Sequence, residues 1–216
     1  MQTKTSVKPE IKILQSLSVN KEIEQYKMPK ETGLSYRTIL RTLRPMEKQG
    51  IIKLFRTLPS EKGGKEKKIY TITFLGLINV LATCPLKPKE LEKIIAKHPD
   101  KLLTFKKWDL FTQANLKDFM LRNLKQGLRS NFLEASILSL FTTKSAFKSE
   151  KDWRNAIDDA ILVDPIENNA YQHYGKNYLE VCRQDKELSG FITKQLAIRK
   201  EQRQKEDAMS KAWEST

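Results

Sequence analysis

The sequence predicts a mainly α protein in two parts: short helices with one β-hairpin at the N-terminus, and helices alone after it. Three observations predict this. Apolar residues recur at helical spacing over most of the 216 residues; two runs rich in β-branched and aromatic residues, IIKLFRTL and KKIYTITF, stand side by side; and two prolines, Pro85 and Pro88, interrupt the pattern at CPLKP. With 39% hydrophobic and 31% charged residues, and only 8 Gly and 8 Pro, the composition supports a packed core and excludes low-complexity disorder. The expected domains are residues 1–84, residues 85–200 and a polar tail over 201–216.

A first short helix is expected over Pro9 to Leu17, with Pro9 suited to a first-turn position. After the polar stretch SVNKEIEQ, Pro29 opens a short helix that Gly33 closes in the left-handed conformation, and Ser35 caps the next helix. That helix places Ile39, Leu40, Leu43 and Met46 on one side and Arg37, Thr38, Arg41, Arg44 and Lys48 on the other. Pro45 lies inside it, removing a donor and crowding the carbonyl of Arg41, so a bend or early end between Arg41 and Met46 is expected. Gly50 ends the helix, the two strands follow around PSEKGGKEK, and a helix over Phe74 to Ala82 closes this part.

The formal charge is +14, and it is uneven: residues 1–83 carry 16 Lys and Arg against 7 Asp and Glu, net +9, while the longer remainder is net +5. A basic domain is an electrostatic footprint for polyanions, although lysines also solubilise ordinary surfaces. The order of elements, with TGLSYRTILRTL as turn and helix, MEKQGII as exit into a strand and YTITFLG as second strand and helix, resembles the winged helix-turn-helix domain of archaeal and bacterial transcription regulators over roughly residues 8 to 83. The resemblance implies three helices plus a β-hairpin wing, binding double-stranded DNA. Ser35, Tyr36, Arg37, Thr38, Arg41 and Arg44 are then the recognition-helix contacts, and Lys62, Lys65, Lys67 and Lys68 the wing contacts to phosphate. The same features fit a scaffold whose winged domain binds protein.

From residue 86 on the pattern is helical throughout. Trp153, Ile157, Ala160 and Pro165, then Tyr171, Tyr174, Gly175, Tyr178 and Phe191, resemble tetratricopeptide spacing over little more than one repeat. Helical spacing makes Trp153, Tyr171, Tyr174 and Tyr178 core residues by default, and the run ANLKDFMLRNLKQGL serves internal packing or a homodimer seam. These helices are expected to dimerise, dock a protein partner or sense an effector.

Catalytic patterns are missing. The stretch Lys62 to Lys65, KGGK, has Pro59 and Glu66 where a phosphate-binding loop needs Gly and Ser or Thr. His98 and His173 stand far apart without a ligand partner at helical spacing, and Cys84 and Cys182 form no CxxC. Asp158, Asp159, Asp164 and Glu167 lack the alternating ligands and glycine of a calcium loop and read as a solvated helix end. No enzyme, metal or cofactor is expected. The start MQTKTSVKPEIKIL has no apolar signal region and no stretch suits a membrane span, so a cytoplasmic, nucleoid-associated location is expected.

Overall fold

A computed structural model of the chain describes residues 7–59, 66–84, 86–128 and 149–214. It is mainly helical, and the described residues form two compact units that divide between Lys101 and Leu102.

In the first unit the order is α1 (Pro9–Asn20), β1 (Glu22–Glu24), α2 (Met28–Thr32), α3 (Tyr36–Lys48), β2 (Ile52–Leu58), β3 (Lys67–Ile72), α4 (Phe74–Thr83) and α5 (Pro88–Lys97). Helix α1 is the hub, burying Ile13, Leu14 and Leu17 and packing on α3, α4 and α5. The strands form one antiparallel sheet in the order β1-β3-β2, with Ile23 opposite Tyr70 and Leu54 opposite Tyr70 on the other side. Strand β1 was not expected. Its three residues are held by backbone pairing with β3, and only the alternation of Ile23 between two glutamates marks it locally.

Three expectations about this unit change. Helix α3 does not end at Pro45; it continues to Lys48. The ring sits on the exposed side, where water can satisfy the freed carbonyl of the preceding turn. Leu40 is not a core residue: it is 45% exposed, and Thr42, 7% exposed, fills the buried stripe with Ile39, Leu43 and Met46. Finally, the boundary at residue 84 moves to Lys101, because Pro88 merely opens α5, whose Leu91, Ile94 and Ile95 are buried as it packs on α1. His98, just past α5, is 1% exposed and its Nε2 donates to the Ser18 carbonyl at 2.8 Å.

The end of α4's approach to the sheet is set by contact. Thr73 caps α4 by accepting from Gly76 N–H and donating to the carbonyls of Gly50 and Ile51. A Cβ on Gly76 would run into the Ile51 carbonyl oxygen.

In the second unit only helices occur among the described residues: α6 (Leu103–Lys106), α7 (Trp108–Gln113), α8 (Lys117–Leu128), α9 (Glu150–Leu162), α10 (Asp164–Glu167), α11 (Tyr171–Tyr174), α12 (Tyr178–Gln184) and α13 (Lys186–Glu214). Tyr178, fully buried, stacks on Phe111, meets Phe119 edge-on at 5.2 Å and donates to the Leu162 carbonyl. The run NNAYQHYGKNYLEVC is broken at Gly175, against which the Phe119 ring packs at 3.0 Å from where a Cβ would stand. Of the four aromatics expected inside, Trp153 and Tyr178 are buried and Tyr171 is half-buried, whereas Tyr174 is 63% exposed under the Arg122 guanidinium.

The acidic group is not a solvated helix end. Asp158, 3% exposed, accepts from Leu103 N–H, Thr104 N–H and the Thr104 hydroxyl at 2.7 to 2.9 Å, capping α6 from 54 or more residues away. Asp159, Asp164 and Glu167 all bind Arg199, and Glu167 also takes Arg203. From Lys200 to Lys211 α13 is exposed. No helix of the described residues is long and apolar enough to cross a membrane.

Candidate nucleic-acid interface

The segment from α2 to α3 is built by short-range chemistry. Gly33 ends α2 at φ +67°, a conformation glycine adopts without steric cost, and its N–H bonds the Pro29 carbonyl. Two residues later Ser35 turns the chain into α3 by accepting from Thr38 N–H at 3.2 Å. The buried stripe then fastens α3 inward, against α1 and β2. Its other side is left outward, and Tyr36, Arg37, Leu40, Arg41, Arg44, Pro45 and Lys48 line an open groove along it.

Four cations thus follow one another up a single helix face at spacings of three or four residues. Among the described residues none of Arg37, Arg41, Arg44 and Lys48 pairs with a carboxylate. The second unit treats its cations differently: Arg199 meets three carboxylates, Lys107 bridges Asp185 and Glu187, and Lys106, Arg154 and Arg203 each hold one. In that unit several cations are matched by carboxylates within the fold. On α3 the positive charge is presented outward.

The expected contact residues divide into three groups. Tyr36, Arg37, Arg41 and Arg44 share the exposed face. The hydroxyls of Ser35 and Thr38 instead bond each other at 2.8 Å as part of the cap, and Thr38 is half-buried, so both shape the helix start. Of the expected wing contacts, Lys62 and Lys65 lie outside the described residues; Lys68 is exposed on β3, and Lys67 is half-buried near Glu24. Lys48 joins the face one turn beyond Arg44.

Two features were missed. Leu40 lies among the cations, a place a helical wheel assigns to either side. On β2, the exposed Phe55 forms a bulge opposite β3 and the Arg56 guanidinium lies over its ring at 5.2 Å, while Arg56 also pairs with Glu22 at 3.0 Å. The bulge depends on the pairing register and leaves no mark in the strand's own sequence.

Burial holds the His98 imidazole below its ordinary pKa and pushes the Cys182 thiol up to about 12, away from thiolate reactivity. Among the described residues no group of three or more His, Cys, Asp or Glu is placed to hold a metal ion. Comparison with family models, with curated proteins and with solved structures returned no match.

Proposed function

We propose that this chain binds double-stranded DNA through the outward face of α3 and regulates transcription by occupancy, as a winged helix-turn-helix protein. The observation that carries the reading is the row of four unpaired cations on one exposed helix face. Arg heads bond guanine O6 and N7 or phosphate oxygens, and a helix fits a major groove about 12 Å wide. The order α-β-α-α-β-β with strands arranged β1-β3-β2 supports the same reading, because it leaves α3 free on one side and pairs β2 antiparallel with β3, as a wing needs. No residue here performs covalent chemistry in this proposal; specificity and residence time are the output. The second unit would supply dimerisation or partner contacts.

Fluorescence anisotropy with the full chain tests it, on a duplex selected from a random pool and on an unselected duplex. Arg37→Ala and Arg41→Ala are each expected to cost about 1 to 3 kcal/mol on the selected duplex, less on the other, and to lower the magnitude of the salt slope by about 1. Equal and negligible changes on both duplexes refute the assignment. A protein-docking scaffold is the second reading, favoured by Leu54, Phe55 and Leu58 standing exposed on edge strand β2. It expects little salt dependence on any duplex.

A further inference from the structure

Leu40 stands in a place where neither packing nor charge accounts for it. It is 45% exposed and Tyr36, one turn earlier, is 47% exposed, while Arg37, Arg41 and Arg44 surround them on the same groove. A polyanion is the ligand that four unpaired cations recognise, but a leucine pressed against phosphate would strip its water and return no hydrogen bond. Within a nucleic-acid groove one chemical group suits it. The major groove displays the C5-methyl of thymine beside the hydrogen-bonding edges; the minor groove displays no methyl.

Resting on the DNA reading above, we infer that Leu40 is a specificity-determining residue that reads the 5-methyl group of thymine in the major groove. Geometry limits where that thymine lies. Arg37 and Arg44 are three and four residues from Leu40, about 4.5 and 6 Å along the helix axis. At about 3.4 Å per base pair, the thymine falls within about two base pairs of a guanine contacted by either arginine. Leu40 thus sets the T in a G-and-T half-site, and the arginines set the G.

The experiment removes the methyl alone. Duplexes selected by the full chain are resynthesised with deoxyuridine in place of each thymine in turn, and affinities are measured by competition anisotropy for the unmodified protein, Leu40→Ala and Leu40→Met. Burying one methyl is worth about fourfold in affinity. The unmodified protein is expected to lose about that factor at one or two thymines near a guanine, Leu40→Ala to bind the thymine and uracil duplexes equally, and Leu40→Met to keep the preference. Because the site is exposed, circular dichroism melting should show all three proteins folded. Indifference to uracil at every position overturns the inference while leaving sequence-specific binding intact. So does a Leu40→Ala protein that keeps the full uracil penalty, which assigns the methyl to another residue. Failure of the DNA reading itself looks different: no duplex is enriched over the random pool. If Leu40→Ala keeps its DNA affinity and loses a protein partner instead, the residue belongs to a protein contact and the inference is overturned.

Discussion

Lowering the pH from 7.5 to 5 is expected to destabilise the first unit through His98. The ring is 1% exposed and its Nε2 lies 2.8 Å from the Ser18 carbonyl oxygen, which can only accept, so that nitrogen carries the hydrogen in the neutral imidazole. Burial is the leading reason its pKa falls below the usual value; Lys101 and Lys21 act in the same direction, and the Ser18 carbonyl and Asp100 oppose them. The sign follows from linkage. An unfolded histidine takes up a proton near pH 6.5, and the folded one resists until lower pH, so below about 6.5 protons favour the unfolded chain. The stability is complete well above pH 6.5 and is lost as the pH falls toward the folded-state value, at a slope of at most about 1.4 kcal/mol per pH unit. Tryptophan fluorescence cannot read this, since Trp108, Trp153 and Trp213 all lie beyond Lys101. Hydrogen-exchange protection of the α1 amides can, compared between the unmodified protein and His98→Gln, whose amide still donates to Ser18. The difference between the two proteins should shrink as the pH drops. A difference that stays flat from pH 7.5 to 5 refutes the reasoning.

Two stability predictions follow from contacts. Gly76→Ala should lower stability by about 2 kcal/mol in urea unfolding, because its Cβ meets the Ile51 carbonyl, whereas helix propensity alone would raise stability by about 1 kcal/mol; a net gain would show that α4 can shift. Asp158→Ala should cost about 3 kcal/mol or more, since it strands three donors at a site where Asp158 is 3% exposed, while Asp207→Ala on the exposed part of α13 should stay within about 0.5 kcal/mol. Calorimetric melting of both variants checks the contrast, and equal losses would mean that the cap of α6 contributes little.

Elements whose causes are local were legible in the sequence. Gly33, Ser35 and Gly50 place the ends of α2 and α3 within a residue, and Pro9 does the same for the start of α1, because each acts on backbone groups next to it. What depends on partners far along the chain was not. Strand β1 exists only against β3, 47 residues later at Ile23 and Tyr70, and the carboxylate that caps α6 arrives from α9. Leu40 shows the same limit at the site. Its helical angle puts it at the edge of the apolar stripe, and only the placement of α1 and β2, which cover Ile39 and Leu43, turns it outward. The proline break misled for a different reason: Pro88 is as good a helix opener as a linker residue, and the apolar face of α5 decides between them.

The charge on α3 is unfavourable for the free protein, and that bears on what it is for. Arg37 and Arg41, Arg41 and Arg44, and Arg44 and Lys48 are like-charged neighbours at three- or four-residue spacing, each pair worsening an isolated helix by about 0.2 to 0.5 kcal/mol. Arg37 also stands in the first turn, where the helix dipole disfavours a cation by about 0.3 to 1 kcal/mol, and no acidic residue accompanies it there. Lys48 in the last turn gains from the dipole about what Arg37 loses, so the three like-charged pairs remain, on the order of 1 kcal/mol of the roughly 5 to 15 kcal/mol that a domain has. The same chain knows the alternative arrangement: Glu150 with Arg154 and Glu201 with Lys205 alternate signs at four-residue spacing on α9 and α13. Interleaving one glutamate on the outer face of α3 would remove most of the penalty without touching Ile39, Leu43 or Met46. A ligand of dense negative charge reverses the sign of every one of these terms at once, since each arginine then faces phosphate and base edges while the counterions it displaces are released. On the proposed DNA reading, Leu40 and Tyr36 have a place too: both are half-exposed at the centre of the cationic face, where a major groove displays thymine methyl groups beside the base edges.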